Sequence, residues 1–148
     1  MRRLRIRRMD VTDINFVLEL ANKNKELWMD NKVRFPFNKK RLKEWVKDQV
    51  ENELLILELS GKPIGFSMTS VDKDTATILS FAIIKEERGK GYGKFFFKEL
   101  LKRLKKQGIK RFLVYVHEDN RKAMRFYKKF GFKKAKKVVP LYLGKWFT

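Results

Sequence analysis

The sequence contains no cysteine and a single histidine, His117. The absence of cysteine excludes disulfide bonds, thiolate zinc sites and a cysteine nucleophile. One histidine is too few for a histidine-based metal cluster, so we predict no metal site. No apolar run approaches the length of a membrane span, and no secretory signal is visible at the N-terminus. These absences favour a soluble, cytoplasmic protein without a membrane partner.

Acidic residues are also scarce: 17 aspartates and glutamates stand against 37 lysines and arginines, which gives a formal net charge of +20. Such a charge attracts anions, including nucleic acid, acidic proteins and phosphorylated cofactors. A solvated basic surface without a partner explains the composition equally well. The length of 148 residues and the hydrophobic content of 43% predict a single domain, over residues 1–148, with a substantial core.

Hydrophobic periodicity and turn residues predict the element order β-α-α-β-β-β-α-β-α-β-β. This order predicts an α/β (α+β) domain in which about four helices flank a mixed, mostly antiparallel sheet of about six or seven strands. The three strands between Leu54 and Ile84 are joined by short turns and should form an antiparallel meander. The strand Arg111 to Val116 follows a helix and should therefore run parallel to its neighbour. Two final strands are expected around Pro140.

The most informative stretch follows the meander, where three glycines alternate with other residues before an amphipathic helix. They are Gly89, Gly91 and Gly93. Backbone amides at a helix N-terminus lack intrahelical partners and favour anions, and glycine lets an anion approach closely. Nearby positive charge comes from Arg88, Lys90 and Lys94. The stretch predicts a phosphate or pyrophosphate site; the alternative is an ordinary loop with glycines for tight packing.

Two motifs resemble those of the GNAT family of N-acetyltransferases. The pattern Arg-x-x-Gly-x-Gly at Arg88, Gly91 and Gly93 resembles the loop that binds the pyrophosphate of acetyl-CoA. The stretch from Asn120 to Phe132 resembles the family's second motif, with Ala three residues after Asn, then Phe-Tyr and a closing Gly-Phe. The resemblance covers residues 77–132. It implies a GNAT domain that transfers acetyl from acetyl-CoA directly to a primary amine of an unidentified protein, peptide or small molecule.

The resemblance also implies roles for individual residues. Backbone groups of Phe81 and Ile83 would pair with the pantetheine arm, and an amide at Ile83 or its neighbour would polarise the thioester carbonyl. The pyrophosphate would be held by amides of Arg88, Gly89, Lys90, Gly91, Tyr92, Gly93 and Lys94. Asn120 would cap its helix, contact the cofactor, or do both. Tyr127 would protonate the departing thiolate, unless it is a buried tyrosine that hydrogen-bonds a backbone group.

Neither motif supplies a general base that could deprotonate the acceptor ammonium before it attacks. Ser80 is the only polar residue between Thr77 and Lys85, and a serine is a poor base at neutral pH. Other candidates, none of which the sequence singles out, are Glu26, Asp30, Tyr115, His117 and Glu118. The acceptor site is expected between Lys25 and Phe37 and near Pro140.

The basic charge suggests an acidic acceptor, and the protein is expected to be a monomer or a homodimer. Two rival interpretations stay open. One is a basic nucleic-acid-binding module that uses the helix from Arg121 to Lys129. The other is an acetyl-CoA-binding protein without transfer activity.

Overall fold

The computed structural model describes residues 3–23, 38–49, 52–114 and 120–133. The strands are β1 (Leu4–Arg8), β2 (Asn52–Leu59), β3 (Lys62–Asp72), β4 (Thr75–Ile83) and β5 (Arg111–Val114). The helices are α1 (Ile14–Lys23), α2 (Lys39–Lys47), α3 (Tyr92–Lys106) and α4 (Arg121–Lys129). The predicted element order is confirmed as far as α4. The two predicted final strands lie almost entirely outside the described residues, which contain five strands rather than six or seven.

The five strands form one mixed sheet in the order β1-β2-β3-β4-β5. Neighbours are antiparallel from β1 to β4, whereas β4 and β5 are parallel. The predicted meander and the predicted parallel crossover are therefore both confirmed. Ser60 and Gly61 have φ values of 50° and 83° and join β2 to β3 as a tight hairpin, whose twist matches that of the flanking strands.

Alternate residues of the central strands point to opposite faces of the sheet, and each face has its own core. Leu54 and Ile56 pack with residues of α1 and α2, including Val17 and Leu42. The opposite face packs against α3 and α4, with the core residues Leu55, Leu57, Phe96, Phe97, Leu100 and Leu104. The sheet therefore separates α1 and α2 from α3 and α4.

Local side-chain bonds fix where the helices begin. Asn38 Oδ1 accepts a hydrogen bond of 2.8 Å from Arg41 N, as expected of an N-cap. Asp10 and Asp13 form a capping box on the 3-10 turn that precedes α1. Arg7 donates to Asp13 at 2.7 and 2.8 Å and to Glu58 at 2.8 Å, which ties this turn to the sheet. Within the described ranges, none of the helices has the length and apolar character needed to cross a membrane.

Candidate active site

The chain leaves β4 at Ile83 and enters α3 through a short loop built on glycine. One 3-10 turn, Lys85–Glu87, follows the strand, and Gly89 and Gly91 then adopt φ values of 77° and 87°. Gly91 is the N-cap of α3, and its carbonyl accepts a hydrogen bond of 3.1 Å from Phe95 N. The amides at the start of α3 therefore point toward the loop without intrahelical partners, at the positive end of the helix dipole.

In the part of the chain that the structure describes, the space beside this loop is open. A Cβ placed on Gly89 or on Gly91 would meet no atom within 4 Å. A Cβ on Gly93 would lie 3.7 Å from Ile83 Cγ1, so the first turn of α3 rests against the end of β4. The glycine stretch thus presents backbone amides at an uncovered surface, which is the arrangement that an anionic ligand requires.

Gly65 on β3 allows the end of β4 to approach β3 closely. This role was not predicted from the sequence. A Cβ there would lie 2.6 Å from Ile83 Cδ1 and 2.7 Å from Ala82 O, so only glycine fits without a shift. An isolated glycine inside a predicted strand is a signal of close backbone approach. That signal was present in the sequence, although it does not reveal what approaches.

The cations of the loop differ in what they contact. Arg88 Nε donates a hydrogen bond of 2.8 Å to Ile83 O, across the 3-10 turn. Lys90 Nζ pairs with Glu87 at 3.3 Å. Lys94 is exposed on the first turn of α3. Arg88 and Lys90 therefore brace the loop itself, whereas the sequence suggested only that they add positive charge for a ligand.

Among the described residues, the pairs between the parallel strands β4 and β5 extend along only part of β4, and residues 115–119, which follow β5, lie outside the described residues. The register runs from Thr75 and Arg111 to Ile78 and Val114, while β4 continues to Ile83. The predicted cofactor-binding positions on β4 lie beyond the last of these pairs. Within the described residues, this edge of β4 therefore has no partner strand, and an extended ligand could pair with it as an added strand does.

The pairing of β4 with β3 contains a bulge. Met68 lies opposite Ser80, and Thr69 lies opposite Ile78, so Leu79 has no direct partner on β3. A bulge disrupts the hydrogen-bond ladder locally and redirects the following residues. It thereby affects which backbone groups of the residues that follow, Ser80 and Phe81, face away from β3.

Helix α4 packs against β4 through aromatic rings. The ring centroids of Phe126 and Phe81 lie 5.9 Å apart in a stacked arrangement, and those of Tyr127 and Phe97 lie 5.3 Å apart. Phe97 also contacts Phe130 and Phe132, which are partly buried against the core. The helix that follows the glycine motif therefore packs, around Phe97, against the residues of the second motif.

Two residues of the second motif, the N-cap of α4 and a tyrosine within it, carry predicted roles. Asn120 Oδ1 accepts a hydrogen bond of 3.1 Å from Ala123 N, which confirms its capping role. Tyr127 is half-buried, and this burial raises the pKa of its hydroxyl to about 12. The phenol therefore keeps its proton at neutral pH. Among the described residues, the hydroxyl has no hydrogen-bond partner, so nothing there ties it to a backbone group.

The side chain of Ser80 lies beside this strand edge and is only 4% exposed. Among the described residues, its buried hydroxyl has no hydrogen-bond partner. The other candidate bases lie outside the described residues: Glu26, Asp30, Tyr115, His117 and Glu118. The segment from Lys25 to Phe37 and the turn near Pro140, which are expected to shape the acceptor site, lie outside them as well.

Comparison with known proteins gives consistent matches. The model of the acetyltransferase (GNAT) family matches residues 16–132. A spermidine N(1)-acetyltransferase of Thermoplasma acidophilum is 28% identical over 142 residues, which cover 88% of each chain. An uncharacterized N-acetyltransferase of Methanocaldococcus jannaschii is 28% identical over 103 residues, which cover 65% of this chain but only 45% of that protein. The PaiA N-acetyltransferase of Thermoplasma acidophilum, solved with coenzyme A, has the same fold, with a TM-score of 0.80 at 22% identity over 92% of this chain and 93% of that one.

Proposed function

This chain belongs to the acetyltransferase (GNAT) family, and from that premise we propose that it transfers an acetyl group from acetyl-CoA directly to a primary amine. The observation that carries the proposal is the presence of two features around β4. One is an open, glycine-lined helix N-terminus, and the other is Tyr127, which contacts the same aromatic cluster as Phe81.

The residues present fit acetyl-CoA as the cosubstrate. The amides from Arg88 to Lys94 would hold its pyrophosphate, because the space beside Gly89 and Gly91 is open and the helix dipole favours negative charge there. Hydrogen bonds to a charged group contribute about 1.5–3 kcal/mol each, so a few such amides suffice for binding. Backbone groups of Phe81 and Ile83 would pair with the pantetheine arm along the open edge of β4.

Asn120 has a restricted role in this proposal. Its side-chain oxygen already accepts the capping hydrogen bond from Ala123 N. A contact with the cofactor would therefore come from the side-chain amide nitrogen, which is a donor and suits a phosphate or carbonyl oxygen.

Bound acetyl-CoA supplies an acetyl group activated as a thioester. Tyr127 stays neutral at working pH, so its hydroxyl can donate to the sulfur as negative charge develops there. Without ligand, the pKa of Tyr127 is well above that of an ordinary thiol, which is about 8.5. With that pKa, complete transfer of the tyrosine proton to the cofactor thiolate would be energetically unfavourable. Hydrogen-bond donation to the developing thiolate does not need complete transfer. A backbone amide of β4 near Phe81 would stabilise the carbonyl oxygen.

The acceptor in this proposal is an amine that lies near acidic groups. The net charge of +20 attracts anions to the enzyme and repels polycations such as spermidine, the substrate in the name of one relative. A peptide with a free amine and neighbouring carboxylates satisfies this electrostatic requirement. A cytoplasmic location and a monomeric or homodimeric state stay predictions.

Calorimetric titration with acetyl-CoA tests the proposal, with acetyl-pantetheine, which lacks the nucleotide and pyrophosphate, as the control at the same salt concentration. We expect micromolar binding of acetyl-CoA and much weaker binding of the control. Thiol release is then measured with an acidic peptide bearing a free amine and with spermidine, and the peptide should be the better acceptor. A protein that fails to bind acetyl-CoA, or binds both compounds equally, would contradict the loop assignment.

A further inference from the structure

The positive charge of this protein is distributed unequally between the two faces of the sheet. Helix α3 carries six basic residues and one acidic residue, and α4 carries five basic residues and no acidic one. These two helices therefore account for +10 of the net charge of +20. On the opposite face, α1 is neutral and α2 carries +4. We call the outward residues of α3 and α4 the basic face.

Few of these cations are neutralised by the protein itself. Lys102 pairs with Glu99 at 3.7 Å, and Arg103 pairs with Glu53 at 3.2 Å. In the described part of the chain, the other nine are exposed without an acidic partner: Lys94, Lys98, Lys105, Lys106, Arg121, Lys122, Arg125, Lys128 and Lys129. Nine like charges on one face repel each other, and an external polyanion would relieve this repulsion.

The spacing of these cations follows from the helices that carry them. Lys94, Lys98 and Lys105 lie on the outward side of α3 and span about 16 Å at 1.5 Å per residue. The residues from Arg121 to Lys129 span about 12 Å on α4. The Phe97 and Phe130 rings of the two helices lie 4.8 Å apart, so the helices are packed neighbours. Each strand of duplex DNA carries a phosphate about every 3.4 Å of helix axis, so the row of three lysines on α3 has the axial length of about five base pairs.

We propose that the basic face binds the phosphate backbone of duplex nucleic acid. The aromatic residues of the two helices support a duplex over a single strand, because single-strand binding relies on bases stacked on exposed rings. The rings of Phe96 and Phe97 are fully buried, and Phe95, 38% exposed, is the only large hydrophobic residue exposed on the two described helices. A protein partner is disfavoured for the same reason, since protein interfaces are anchored by aromatic and apolar side chains.

The test compares two triple variants that remove the same number of charges from opposite faces of the sheet. The first is Lys98→Gln, Lys105→Gln and Arg125→Gln on the basic face. The second, the control, is Lys40→Gln, Lys43→Gln and Lys47→Gln on α2, where all three lysines are exposed. None of the six residues belongs to the proposed cofactor site, so acetyl-CoA affinity, measured on both variants, should be unchanged.

Binding is measured by fluorescence anisotropy with a labelled mixed-sequence DNA duplex, at several salt concentrations, and with a single strand of equal length. The wild type should bind the duplex more tightly than the single strand, with a steep linear fall of log affinity with log salt. The basic-face variant should lose at least about tenfold in affinity, and its salt slope should fall by about 0.9 for each phosphate contact removed, or nearly three in all. The control should stay close to the wild type.

The proposal would be overturned by no duplex binding near physiological salt, by equal loss of affinity in both variants, or by equal binding of duplex and single strand. Equal loss would mean that net charge alone attracts the DNA. Competition by polyglutamate as effective as that by unlabelled duplex would equally overturn it, in favour of an acidic protein. Because the acetyl-CoA titration is separate, failure here leaves the proposed transferase function untouched.

Discussion

Replacing Gly91 by alanine should damage the cofactor site while costing little stability, and Gly108 offers a matched control. The two glycines flank the two ends of α3, with φ values of 87° and 90°. A Cβ at either position would meet no atom within 4 Å, so alanine introduces backbone strain but no clash. That strain is worth about 1–2 kcal/mol in each variant. The melting temperature of a protein of this size should fall by about 2–4 °C for each kcal/mol.

Only Gly91 lies among the amides proposed to bind the pyrophosphate. Its added methyl group would occupy the open space beside them, so we expect the dissociation constant for acetyl-CoA to rise at least tenfold, or about 1.4 kcal/mol. Gly108→Ala should bind acetyl-CoA like the wild type, and Gly91→Glu, which adds a negative charge, should abolish binding. Calorimetry and thermal melts on all three variants check these expectations. Wild-type affinity in Gly91→Ala, or equal weakening in Gly108→Ala, would refute the assignment of the loop.

Three further substitutions test other parts of the site. Tyr127→Phe should lower turnover by about 10²-fold with acetyl-CoA affinity retained. Because the pKa of Tyr127 is about 12, its ionisation should leave no step in the wild-type pH–rate profile below about pH 10. Arg88→Lys keeps the charge but loses the Nε donor to Ile83 O, so the KM for acetyl-CoA should rise several-fold; a wild-type KM would show that charge alone matters. Ser80→Ala removes a buried hydroxyl without a partner, so denaturant unfolding should show an unchanged or higher free energy of unfolding; a decrease above about 1 kcal/mol would reveal a partner.

Features that depend on neighbours in the sequence were predictable. The caps at Asn38 and Asn120 follow from a polar residue ahead of an apolar helical pattern, and both make the expected hydrogen bond. The helix start at Gly91 and the helix end at Gly108 follow in the same way, because glycine adopts the left-handed conformation at little cost. The element order and the parallel crossover of β5 rest on the same kind of local information.

Features that depend on partners distant in the sequence were not predictable. The bulge at Leu79 is a property of the register between two strands, and apolar residues on both sides of it give the same pattern with or without a bulge. The close approach of Gly65 to Ile83 requires knowledge of which strand lies alongside. The bond from Arg88 to Ile83 O joins residues that are near in the sequence, but it was not predictable because it depends on one choice among many side-chain conformations. These three features nevertheless set the geometry of the proposed cofactor strand.

The proposed cofactor site uses mainly backbone groups, so cofactor binding alone does not account for the positive charge on α3 and α4. Amides and the dipole of α3 supply the positive potential for a pyrophosphate, and two of the three loop cations, Arg88 and Lys90, already contact the protein. A single cofactor carries only a few negative charges, whereas α3 and α4 together carry +10. The charge on these helices therefore exceeds what cofactor binding requires. Because most of it lies on outward residues beyond the first turn of α3, a larger and more extended anion is the partner that this surface fits.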